Sequence, residues 1–255
     1  MNSIHECTHI HEANRRTAVM VGILFITGTV SGILSGVVTA PIRAESTFPL
    51  NISASETQWI LGTLLVSLMG LSLAMMPVLL YPILRKHNEV LAFGAVLFRG
   101  AIEAISYAVM VISMLLMVTV SENYGKTGAA DASNLQVLGS MLIASKDWTE
   151  IWGALVFSIG ALMIYVLFYQ TRLVPRWLSA WGFIGGVLYF VANLVSMFGP
   201  QHSAPSIGVG IGFLLVPMAI QEMVFAVWII AKGFNSSAIA SLSTKTTTNE
   251  LLSVS

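Results

Sequence analysis

The chain has 255 residues, 56% of them hydrophobic and 9% charged, with a net charge of zero and a mean hydropathy of +0.82. Soluble domains carry about 25% charged residues, so this composition excludes an ordinary soluble domain and points to an all-α polytopic membrane protein. Zero net charge argues against nucleic acid as a partner. The single cysteine, Cys7, excludes an intramolecular disulfide.

Residues 1–16 are polar and are expected to form a disordered tail. They hold His5, Cys7, His9 and His11 together with Glu6 and Glu12. The spacing matches no compact zinc site and no scaffold holds the side chains, so no metal is assigned there. Arg15 and Arg16 then precede a first apolar run, 17–38, which is longer than the roughly 7–15 residues of a signal-peptide core. It is expected to span the bilayer. Its Gly28, Gly32 and Gly36 recur at spacing four, a stripe that lets a second helix backbone approach closely.

A Pro-containing loop over 40–57 leads to a second span, 58–84, with Trp59 expected at the membrane interface and Pro77 and Pro82 near its far end. After the charged turn 85–89 comes a third, 90–120. Within the long connection 121–146, Leu135, Leu138, Met141 and Leu142 recur at helical spacing behind a possible cap at Ser133 or Asn134, which predicts a short amphipathic helix lying in the interface. Trp148 and Trp152 mark a headgroup belt. The fourth, fifth and sixth spans are expected at 149–170, 178–198 and 206–231, and the Ser/Thr-rich stretch 232–255 is expected to be disordered. The domain organisation is thus two tails around one six-helix bundle, 17–231.

Six spans put both termini on one side. Eight cations (Arg15, Arg16, Arg85, Lys86, Arg172, Arg176, Lys232 and Lys245) fall at that set of helix ends, and three (Arg43, Lys126 and Lys146) at the other. The positive-inside bias places both termini in the cytoplasm.

Arg99 and Glu103 stand inside the third apolar run. Arg99 lies ten residues past Glu89, about 15 Å into a hydrocarbon layer about 30 Å thick. Glu222 lies ten residues before Lys232, at a matching depth from the same face. An ionised side chain there costs about 2.5–3.5 kcal/mol on insertion scales, so these residues must face protein or a wet cavity. Arg before Glu is the less favourable order for an i,i+4 pair, and Arg99 is therefore expected to pair across helices with Glu222. Gln221 adjoins Glu222, Tyr107 follows Glu103 by one turn, and Asn193 and Tyr189 reach comparable levels. Pro217 leaves the carbonyl of Phe213 as a free acceptor.

One guanidinium and two carboxylates leave an excess negative charge unless one carboxyl keeps a proton. A shared proton suits a proton-linked carrier, with Arg99 holding an anionic group of a small solute and Glu222 or Glu103 carrying the proton. A structural clamp that fixes helix register uses the same residues. Catalysis has little support and no cofactor is assigned. All five histidines lie outside the spans, which removes bis-histidine haem, and the helical serines lack a base partner. Gly208, Gly210 and Gly212 mimic a dinucleotide loop without the strand that such a loop requires.

These residues resemble a family of bacterial multi-pass membrane proteins catalogued as domain of unknown function 4386. The resemblance runs from about Arg15 to Phe234. It rests on Arg15-Arg16-Thr17-Ala18, on Arg99 with Glu103, on Pro175-Arg176-Trp177-Leu178-Ser179 followed by Trp181-Gly182, and on Pro217 through Gln221-Glu222-Met223 to Trp228 and Lys232-Gly233-Phe234. It implies a six-helix bundle in a bacterial cytoplasmic membrane and brings no activity that separates carrier from structural protein.

Overall fold

The computed structural model describes residues 2–126, 129–199, 205 and 210–242, with side chains from Asn14 onward except those of 129–131. The N-terminal histidine and cysteine side chains and residues 243–255 lie outside the described set. Every described regular element is helical. Six helices are long and apolar enough to cross a membrane: Asn14–Arg43, Ile52–Leu84, Glu89–Lys126, Ala132–Thr171, Arg176–Ser196 and Gly210–Lys232. They are numbered here as spans one to six.

Each span packs on the next, and the sixth closes on the first, so the bundle is a ring. Arg15 fastens that closure by donating to the carbonyls of Ile229 and Ala231 at 3.3 and 3.5 Å. Both carbonyls lie in the last turn of the sixth helix, where that of Ile229 also accepts from the Gly233 N–H at 3.0 Å. Gly233, at φ 73°, ends that helix with the arginine side chain against it. The end of the bundle that carries Arg15 and Lys232 is called the terminal end below, and the opposite one the far end.

The first and second spans meet through small residues. A Cβ at Gly28 would lie 2.8 Å from the Leu73 side chain, and one at Gly32 would lie 2.5 Å from the Met69 sulfur. Ser35 donates to the carbonyl of Gly62 at 2.8 Å. Gly36, expected on the same stripe, faces open space. At 3.6 residues per turn a spacing of four drifts around the helix, and the contact passes to Ser35 and Thr39. Elsewhere helix hydroxyls mostly turn inward on their own backbone. Ser106, Ser113 and Ser158 bond to carbonyls four residues back, whereas Ser113 also meets Ser145 across helices at 3.0 Å.

Several local expectations are corrected. The stretch expected as an N-terminal tail continues the first helix, which begins at Asn2. The amphipathic segment before Trp148 is not a separate interfacial helix, because one helix runs unbroken over Ala129–Thr171. Its 43 residues reach about 65 Å, twice the hydrocarbon thickness. Its first half packs on the loop ahead of the second span, where a Cβ at Gly139 would meet Pro49 at 2.8 Å. Trp59 is no interface marker: it is fully buried and donates its indole N–H to the Met114 carbonyl at 2.8 Å. Pro217, read from the sequence as freeing the Phe213 carbonyl within a continuous helix, stands where two helix types join. It sits in the first turn of Val216–Lys232, where no intrahelical N–H is needed, after a 3-10 run over Gly210–Leu215. Beyond Lys232 the chain continues with order, helical at 236–242. Phe234, Ala238 and Leu242, at spacing four, are buried in the core, and Asn235 N–H bonds to the Leu173 carbonyl at 2.9 Å.

Candidate functional site

The third span carries the feature that places the charged residues. Between two α-helical segments, Val96–Ile102 forms a π-helical turn. Such widened turns occur mostly as single interruptions within α-helices, often at functional sites. Arg99 and Gly100 are buried on it, and Glu103 begins the next α-helical segment.

Arg99 is 1% exposed. Its Nη2 donates to Glu222 Oε1 at 3.1 Å, joining the third and sixth spans at the depth their sequence positions match. Nη1 lies 3.6 Å from Glu103 Oε2, and neither of these atoms has a hydrogen-bond partner. The guanidinium carbon stands 4.1 Å from the centroid of the Phe157 ring and 5.5 Å from that of Phe25, within reach of cation–π attraction. The backbone of Gly160 lies against the arginine's own backbone. On the terminal side, Phe168 stacks on Phe225 at 5.4 Å, and Phe25 meets Phe225 edge-on at the same separation. The arginine is sealed between carboxylates, ring faces and an aromatic plug.

A cavity of about 430 Å³ lies on the other side of the carboxylates, and all six spans contribute to it. Glu103 and Glu222 form its floor. Tyr107, Phe157 and Tyr189 stand in its walls, with Met69, Met110 and Met218 between them, and Thr149 and Glu150 mark its far end. Glu222 is 16% exposed at its side chain against 3% for Glu103, so the former presents more surface to the space. Its size falls in the range of small-molecule sites, about 300–1,000 Å³.

Of the residues singled out in the sequence, Arg99, Glu103, Glu222 and Tyr107 come together. Gln221 turns away: it is fully buried, accepts from the Tyr165 hydroxyl at 2.7 Å and donates to the Leu178 carbonyl at 3.2 Å, tying the fourth, fifth and sixth spans. Asn193 bonds to the Tyr189 carbonyl of its own helix at 2.9 Å and does not line the cavity. The residues that sequence reasoning missed are Phe157 and Gly160 against the arginine, and Glu150 at the cavity's far end. Gly153 and Gly160, seven residues apart on one face of the fourth span, were a readable signal. They receive Ser106 and Arg99 of the third. Among the described residues no group of three His, Cys, Asp or Glu could hold a metal ion.

No curated protein and no solved structure is significantly similar to the chain. Residues 20–233, which hold most of the first span, all of the other five and the charged cluster, match the family described as Domain of unknown function (DUF4386), and the chain belongs to that family.

Proposed function

We propose that this is a small-solute carrier of a bacterial cytoplasmic membrane, with both termini cytoplasmic and a proton held on Glu222 or Glu103 as the coupling element. The observation that carries the reading is the cavity. All six spans line it, and it ends on two carboxylates at mid-span rather than on a dry apolar layer. Beneath them the aromatic plug of Phe25, Phe168 and Phe225 closes the terminal side. A cavity on the far side of the charged cluster, with an aromatic seal on its terminal side, supports an alternating-access arrangement. The excess of cations at the terminal end supports the orientation.

Sided thiol labelling tests the reading. In a Cys7→Ser background, Ser106→Cys on the cavity wall reacts with a membrane-impermeant reagent from the far face. Ala161→Cys, beside the aromatic plug, reacts more slowly from the terminal face as the bundle samples its second state. Protection of both positions from both faces overturns the carrier reading.

The second reading, a non-catalytic membrane protein whose charges fix helix packing, is favoured by the seal around Arg99. Its guanidinium is 1% exposed, hydrogen-bonded, clamped between rings and outside the cavity lining.

A further inference from the structure

The sign of the charge that faces the cavity is opposite to the one the sequence suggests. Arg99, expected there as the holder of an anionic group, does not line the space, and among the described residues no lysine or arginine does. The ionisable groups on its walls are the carboxylates Glu103, Glu222 and Glu150 and two tyrosines. Lys146 lies near the far end but is engaged there, 2.9 Å from Glu150 and 3.0 Å from Asp147. With all three groups of the floor ionised, Arg99 supplies one positive charge against two negative ones.

Glu103 itself points to something missing. It is 2% exposed, lines the floor, and its Oε2 accepts no hydrogen bond. A buried carboxylate oxygen without a donor is costly. Arg99 contributes its one carboxylate hydrogen bond to Glu222 instead. The floor therefore has an acceptor and a negative charge to spare.

The walls restrict what can supply the donor. A metal cation that sheds its water needs six or more oxygen ligands from the protein, whereas between the carboxylates and the far end the walls are mainly Tyr107, Tyr189, Phe157 and three methionines, with a few hydroxyls. Tyrosine faces attract a cation that carries an apolar shell, and methionine side chains adapt to varied apolar shapes.

We propose that the cavity binds a small organic cation, an ammonium group on an aromatic or aliphatic body, with its nitrogen at Glu103 and Glu222 and its body between Tyr107, Tyr189 and the methionines. The proposal rests on the solute-cavity reading above and names its substrate class. Cation and proton occupy the same carboxylates, so each displaces the other.

Full-length protein in nanodiscs, with empty nanodiscs as control, is titrated calorimetrically with benzylammonium (protonated benzylamine), benzyl alcohol and phenylacetate. The cation is expected to bind at least about tenfold more tightly than the neutral or anionic compound, the scale of one added charge contact at intermediate dielectric. Its affinity falls as pH is lowered through the acid range, which needs no variant. Glu222→Gln lowers affinity by about tenfold or more, whereas Glu56→Gln, at an exposed carboxylate outside the cavity, leaves it near the original value. Equal binding of benzyl alcohol reduces the site to an apolar cavity and overturns the proposal, as does tighter binding of phenylacetate. If no probe binds while Ser106→Cys still reacts from the far face, the cation assignment fails and the cavity reading stands. If neither occurs, both fail.

Discussion

Gly160 lies flat against Arg99: a Cβ built on the glycine falls 2.7 Å from both the backbone nitrogen and the Cβ of the arginine. No side chain fits between these helices. The π turn brings the arginine's backbone up to the fourth span, and only a glycine there accepts it. Gly160→Ala is expected to destabilise the bundle by about 1–3 kcal/mol, the usual cost of overpacking. Gly36→Ala, which meets nothing within 4 Å, should be neutral or stabilising by up to about 1 kcal/mol through helix propensity. Thermal denaturation in one detergent compares them, and equal effects would remove the special role of Gly160.

The two glutamates should differ. Glu222 accepts a charge-assisted bond from Arg99 at 3.1 Å. Glu222→Gln is therefore expected to cost about 2 kcal/mol or more, because it leaves the buried guanidinium poorly matched. Glu103 lies 3.6 Å from the arginine, with Oε2 accepting no hydrogen bond. Glu103→Gln should be neutral or slightly stabilising, the signature of a residue retained for function at a cost in stability. A larger loss from Glu103→Gln than from Glu222→Gln would reverse this ranking.

A third expectation concerns the segment after the sixth span. Phe234 is 7% exposed and tilted against Phe168, with ring centroids 6.5 Å apart. Phe234→Ala should lower stability by about 3 kcal/mol, as for other buried phenylalanines. Phe213, 64% exposed in the 3-10 run of the sixth span, serves as the comparison. Its replacement by alanine should stay within about 0.5 kcal/mol. Unfolding curves for the two variants that coincide would mean that Phe234 is not part of the core.

Orientation is tested separately. Reporters fused after His87 and after Lys126 bracket the third span and should give opposite location signals, cytoplasmic for the first. Cytoplasmic signal at Lys126 instead would invert the bundle and the membrane face toward which the cavity lies.

The sequence alone determined the membrane class, the number of spans and the depth match that brings Arg99 to Glu222 beside Glu103. Each of these follows from one-dimensional quantities: apolar length against bilayer thickness, and the cost of an unpaired charge at a counted depth. Helix rise converts residue number directly into depth, which is why Arg99 and Glu222 could be matched before any contact was known. Which way those charges face is a different kind of quantity. The π turn at Val96–Ile102 rotates the register of everything after it, and whether Arg99 or its carboxylates meet the cavity depends on Gly160, Phe157 and Phe25 arriving from two other helices. Gln221 and Trp59 likewise looked like site and interface residues until the helices that bury them were in place. Depth is a property of one helix, but burial and charge balance belong to the ring of six, and only the packed bundle decides them.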